Sequence, residues 1–364
     1  MNRLVLICLW AVSVNCSGES TPAPNPSPNA QESSPRQLGL RSVPATEAAL
    51  NAPWVFQRAL MGTSFTILID EPLSAATAKD AAEAAFAEIS RIENLMSEWR
   101  PSSEVSKVNA RAALSPVTVS QETFELIKRS IGLSRQSKGA FDITWAAYRG
   151  LWDFQGARGI PTEAERHARR AYVGWEKVRL DPVNRTVYLT TKGTQIGLGA
   201  IAKGYGIDRA AQLLRSRQVK RFLINGGGDL FAEGQKRDGT SWTVGVQHPR
   251  DREVLLARIP FDGVSIVSSG DYERYFEHAG RRYHHLLDLK SGLPARKSIA
   301  VTVQAANATL ADALATAVFV MGPIAGLNLI QEIEGAEAAV LRPDGVIVTT
   351  KGLRGLFPSR WDQK

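Results

Sequence analysis

Cysteine is the scarcest chemistry in this chain. Its 364 residues include two, Cys8 and Cys16, both at the extreme N-terminus. From residue 17 onward that excludes a disulfide, a Cys-ligated zinc site, an iron–sulfur cluster and a thiol nucleophile. Long apolar runs are also missing: the most apolar stretch, Leu4–Val14, is too short to span a bilayer as a helix. Basic runs stop at pairs such as Arg169-Arg170 and Arg281-Arg282. With no nucleic-acid motif beside them, the net charge of +8 does not point to nucleic acid as a partner. There is no internal repeat, no dinucleotide fingerprint and no Walker A loop.

What is present suits a folded protein. Hydrophobic residues make up 44% and charged residues 22%, enough to bury a core without metal or disulfide staples. Arg3 followed by the apolar Leu4–Val14 reads as a secretory signal peptide over residues 1–16, with Cys16 where a lipoprotein signal places its lipidated cysteine. The alternative is an ordinary signal cleaved nearby. Residues 17–50 begin rich in Ser, Pro, Asn and Thr, the composition of a flexible tether. The folded unit is expected over residues 51–358, and the expected location is exported and membrane-anchored on the periplasmic or outer face.

Within that unit, Ser64–Asp70 alternates as a strand and Ala75–Met96 carries apolar residues at helical spacing. A second helix over Gln121–Gln136 is capped by Ser120. Further helices are expected from about Ala202 to Arg217 and over Thr309–Met321, the latter stopped by Gly322-Pro323. Short strands are expected at Arg221–Ile224, Trp242–Gln247 and around Val301, with a closing hairpin about Pro343-Asp344-Gly345. Strands and helices mix without a regular βαβ beat, which favours α+β.

Several segments offer chemistry. Asp312 and Thr316 are four apart on one helix, so they share a face and present hard oxygens suited to Mg²⁺; spacing alone favours the plainer reading of a polar stripe with Asp312 helping the helix dipole. The segment Gly197–Asp208 puts glycines and Lys203 before a helix, where backbone N–H groups approach a phosphate. Asn225-Gly-Gly-Gly-Asp229 follows a strand and marks a tight bend or a ligand-facing turn. Tyr283-His284-His285-Leu286-Leu287-Asp288 holds two histidines that point opposite ways if extended, so one at most faces a given site. Gly139-Ala140-Phe141-Asp142-Ile143-Thr144 reads as a turn into a strand, with Asp142 accepting from a ligand or capping the turn.

The order of these pieces is more specific than any one of them. Met61-Gly-Thr63, Met96-Ser-Glu-Trp99, Gly139–Thr144, Leu198-Gly-Ala-Ile-Ala-Lys-Gly-Tyr205, Asn225–Asp229, Ser269-Gly-Asp-Tyr272, His285-Leu-Leu-Asp288 and Ala311-Asp-Ala-Leu-Ala-Thr-Ala317 together resemble the FAD:protein FMN transferase (ApbE) family. The resemblance covers about residues 54–350. It implies a single compact T-fold-like α+β domain behind a signal peptide and flexible tether. It implies Mg²⁺-dependent transfer of FMN from FAD to a threonine hydroxyl of an acceptor flavoprotein, with release of AMP. The acceptor is expected in a membrane electron-transfer complex, and the enzyme itself on the membrane through a lipid anchor. By motif match, Met61, Trp99, Ala140, Phe141, Asp142, Gly197, Lys203 and Leu286 are expected at the FAD. Metal binding falls to Ala200 through its carbonyl, with Asp312 and Thr316. His285 is the expected base, with Asp288 an alternative or an orienting partner. Gly197 stands where the family more often has Asp. Two other outcomes share the site: an FAD pyrophosphatase giving FMN and AMP, and a non-catalytic FAD-binding lipoprotein.

Overall fold

Helix α1 (Ala75–Met96) forms because its apolar residues fall on one face and Ser74 caps its start, accepting from the Thr77 N–H. It buries Ala78, Ala82, Phe86, Ile89 and Ile92. Among the described residues six helices follow: α2 (Glu104–Ala110), α3 (Gln121–Gln136), α4 (Glu163–Arg170), α5 (Ala202–Ser216), α6 (Ala308–Met321) and α7 (Pro323–Gln331). The computed structural model describes residues 52–154, 159–251 and 253–361. The expected signal peptide and tether, with Cys8 and Cys16, lie outside the described residues. No helix among the described residues is long and apolar enough to cross a membrane.

One sheet organises the molecule. Its order is Trp54–Leu60, Thr63–Ile69, Phe222–Gly226, Asp229–Glu233, Ser265–Gly270, Ala300–Ala305, Glu337–Leu341 and Ile347–Thr349. Every neighbouring pair is antiparallel. The pleat sends alternate residues to opposite faces. Ile67 and Ile69 join Phe86 and Ile89 of α1 and Ile207 and Leu214 of α5 on one side. Leu68 joins Trp242, Val244, Ile259 and Phe261 of a covering hairpin, Trp242–Gln247 with Leu255–Phe261, on the other. The class is therefore α+β: an antiparallel sheet with α1, α5 and α6 over one face and a β-hairpin over the other.

One expectation is overturned and two are refined. Gly139–Thr144 does not enter a strand. Asp142 caps a short 3₁₀ helix, Ile143–Tyr148, because its carboxylate captures the Thr144 N–H. Gly322-Pro323 stops α6 as expected and at once starts α7, since a proline at the first helical position gives up no needed N–H. The expected bend over Asn225–Asp229 is confined to Gly227-Gly228: Asn225 and Gly226 still belong to the first strand, and Asp229 opens the strand paired with it. A two-residue turn, Met61-Gly62, with φ of 49° and 72°, closes the first hairpin.

Candidate active site

The site is built where the N-terminal ends of α5 and α6 meet the hairpin turn Gly226–Asp229. Gly204 makes the meeting possible. A Cβ there would overlap the Ala308 carbonyl oxygen and lie 2.5 Å from its carbon, so only glycine lets α5 come this close to α6. Asp208, one turn on, fastens the crossing by accepting from the Ala308 N–H at 2.8 Å, the Thr309 N–H at 2.9 Å and the Thr309 hydroxyl. Gly227 (φ +62°) lets the second turn run against the Thr63 side chain.

This geometry brings Lys203 between two carboxylates. Its ammonium pairs with Asp229 and, at 3.3 Å, with Asp312 Oδ1. Asp312 Oδ2 also accepts the Gly204 N–H at 3.1 Å, placing a carboxylate on the positive end of α5. Both aspartates are buried, at 3% and 4% exposure. Burial, and then the neighbouring Asp312 charge, push the Asp229 carboxyl up to about 7, against the pull of Lys203. Burial alone would lower Lys203; the Asp229 and Asp312 charges outweigh it and hold the ammonium well above its ordinary range.

Two buried carboxylates against one ammonium leave an excess of negative charge in a low-dielectric place. Such a place takes up a proton or a cation. Among the described residues, no three His, Cys, Asp or Glu side chains cluster as a metal cage. Of the residues expected at a metal, Asp312 and Thr316 stand one turn apart on α6 and Ala200 lies just before α5; a carboxylate, a hydroxyl and a carbonyl are oxygens of the hard kind that Mg²⁺ takes, with several waters kept.

His285 feels the Lys203 charge but makes no hydrogen bond or ion pair to this cluster among the described residues. Burial first, then Arg274, His284 and the Lys203 ammonium, lower its pKa to about 3, so the ring is neutral at neutral pH. Its Nδ1 is enclosed with no hydrogen-bond partner among the described residues, and its edge meets Phe154 at 6.5 Å between centroids. His284 points away into the core: its Nε2 lies 3.0 Å from the Ala295 carbonyl, its ring stands edge-on to Phe319, and burial lowers it to about 4.

Other expected residues take different positions. Asp288 is held in its own turn, accepting from the Lys290 N–H at 3.0 Å and the Ser291 hydroxyl at 3.3 Å. The Asp142 carboxylate is spent on Thr144 N–H and hydroxyl and on Trp175 N–H, at 2.7–2.8 Å. Phe141 and Leu286 have buried side chains, so either can reach a ligand through backbone only; Ala140 is half-buried beside them. Met61 extends beside α5, its Cε 3.1 Å from where a Cβ on Gly206 would sit. Trp99 is 67% exposed, and the Arg149 guanidinium lies 4.5 Å from its ring centroid. Gly197 is buried against Trp145, whose Nε1 donates to the Gly197 carbonyl at 3.0 Å. Asp229 was the omission. Its sequence signal is an acidic residue closing the Gly-rich Asn225–Asp229 turn, in a chain whose Gly197–Asp208 segment carries a lysine.

Comparison with known proteins agrees with this architecture. The model of the ApbE family matches residues 61–341. The chain is 33% identical over 314 residues to the FAD:protein FMN transferase of Klebsiella pneumoniae strain 342, covering 84% of this chain and 95% of that protein. It is 31% identical over 289 residues to the FAD:protein FMN transferase of Vibrio cholerae O395, covering 78% and 84%. Among solved structures, the ApbE protein of Thermotoga maritima superposes with a TM-score of 0.76 at 32% identity, covering 84% of this chain and 99% of that one. The apo flavinyl transferase ApbE of Pseudomonas stutzeri gives 0.73 at 31%, covering 84% and 96%.

Proposed function

The chain belongs to the ApbE family and is an FAD:protein FMN transferase, and on that premise we propose that it moves FMN from FAD onto a threonine hydroxyl of an acceptor flavoprotein, releasing AMP, with Mg²⁺ at Ala200, Asp312 and Thr316. The observation that supports this reading best is Lys203 held between Asp229 and Asp312 at the start of α5.

In the proposed reaction the threonine Oγ attacks the FMN-side phosphorus of the pyrophosphate. One O–P bond forms there, and the bond from that phosphorus to the bridging oxygen breaks, so AMP leaves with its phosphate. Mg²⁺, when bound, would neutralise charge on the pyrophosphate oxygens. Lys203 adds a fixed positive charge beside them, and the N-terminal backbone of α5 supplies a dipole of the same sign. His285, neutral at neutral pH, offers a ring-nitrogen lone pair for the hydroxyl proton. A nearby pyrophosphate would raise its basicity, because an anion favours the imidazolium. Asp288 is bound up in its turn and serves to hold the loop that follows His285.

We also propose that the enzyme is exported and anchored at the membrane through a lipid on Cys16, near an acceptor of a membrane electron-transfer complex. Membrane partition of the full chain against a Cys16→Ser variant tests the anchor: equal partition removes it. For the reaction, the full chain is incubated with FAD, Mg²⁺ and a candidate acceptor domain. A mass gain on the acceptor, matched by AMP, is the expected result. AMP without a mass gain would replace transfer by hydrolysis, and neither product would leave binding alone.

A further inference from the structure

We infer that Arg149 is a nucleotide-binding residue, donating Nε–H and Nη2–H to an acceptor oxygen of the bound flavin nucleotide beneath Trp99. The inference rests on the proposed reaction only in taking FAD as the ligand.

The guanidinium is half satisfied. Nη1 donates to the Glu98 carbonyl at 2.8 Å. One face lies on the Trp99 ring. Nε and Nη2 are enclosed with no hydrogen-bond partner among the described residues. Two unmade bonds on an enclosed cation are costly, and a native protein keeps such donors where something else completes them. Trp99 sits just past the end of α1 and is two-thirds exposed, so the ring on which the guanidinium lies is itself open to a planar ligand.

The surroundings point the same way. The resemblance places a carboxylate more often at position 197. Here Gly197 leaves no room for one, since a Cβ would sit 2.9 Å from the Trp145 ring and 3.2 Å from the Ala146 Cβ. Trp145 and Arg149 belong to the same stretch, the 3₁₀ helix and the residue that ends it. The Glu98 carboxyl, whose pKa burial raises, lies beside the adjoining Gly199. The ligand class is thus a group with acceptor oxygens, either flavin carbonyls or phosphates.

The test measures dissociation constants of FAD and riboflavin by flavin fluorescence, with the full chain and with Arg149→Met and Arg149→Lys. Removing a charged hydrogen-bond fork should weaken FAD binding by roughly tenfold or more in Arg149→Met. Arg149→Lys should recover part of that, having the charge without the fork. Riboflavin carries no phosphate. If its binding weakens equally, the partner is a flavin carbonyl; if only FAD weakens, the partner is a phosphate. Unchanged FAD binding in a folded variant overturns the inference and leaves Arg149 a prop for Trp99. Should Arg149→Met fail to fold, unchanged binding in Arg149→Lys overturns it equally. A wild-type chain that binds no FAD would instead sink the proposed function, which separates the two failures.

Discussion

Three glycine-to-alanine substitutions in helices should give three different outcomes, because the space around each glycine differs. Gly132 lies exposed in the middle of α3, with nothing within 4 Å of where an alanine methyl would sit. Alanine there should stabilise the protein by about 1 kcal/mol, the helix-propensity difference. Gly206 in α5 faces the Met61 Cε at 3.1 Å, a flexible end that can shift, so alanine should be close to neutral. Gly204 faces backbone: its methyl would press on the Ala308 carbonyl group and come 2.8 Å from the Thr309 nitrogen. The helices must separate, at a strain of about 1–3 kcal/mol. Separation also lengthens the bond from the Gly204 N–H to Asp312, a charge-assisted contact worth about 1.5–3 kcal/mol. Against these stands the same propensity gain of about 1 kcal/mol, for a net loss of roughly 1.5–5 kcal/mol. Denaturant midpoints read all three variants, and flavin transfer should collapse in Gly204→Ala alone, since Lys203 and Asp312 part. If Gly204→Ala proves as stable as Gly132→Ala, the close crossing of α5 and α6 is wrong, and with it the way the site is assembled.

Mg²⁺ at a hundred times its dissociation constant should stabilise the full chain by about 2.7 kcal/mol in thermal unfolding, and Asp312→Asn should remove that response; an equal response in the variant would reject Asp312 as a ligand. His285→Ala should slow single-turnover flavinylation by about 10²–10⁴, the range for a lost general base, and near-normal rates would take His285 out of that role. Because His284 stays neutral down to about pH 4 in the folded chain but protonates near 6.5 when unfolded, its share of stability is present above 6.5 and lost as pH falls through that window, on the order of 3 kcal/mol in all. His284→Asn should flatten acid unfolding curves accordingly, and an unchanged slope would refute the assignment. Asp229 works in the opposite sense: its raised carboxyl keeps a proton that the unfolded chain releases, so stability is lost as pH rises toward 7, and Asp229→Asn should abolish that decline in pH-dependent unfolding.

What the sequence made legible follows the range over which each signal acts. Helices α1 and α3 carry their boundaries locally, in Ser74 and Ser120 at the caps and in a one-sided apolar pattern, and both begin and end where the pattern says. The Asp312–Thr316 spacing is local too, since one helix sets it. Asp142 shows where local reading stalls: a carboxylate two residues before a backbone N–H suits a ligand or a cap, and only the Trp175 N–H, brought in from 33 residues away, decides that both oxygens are taken. Asp229 lies 26 residues from Lys203 and meets it only after the sheet sets the turn Gly226–Asp229 beside α5. Arg149 belongs to no motif at all. Its two unmet donors arise only in the fold, where its guanidinium lies against the ring of Trp99, 50 positions earlier. A site residue of that kind becomes visible when hydrogen bonds are counted, because incompleteness, unlike a motif, is a property of the folded chain alone.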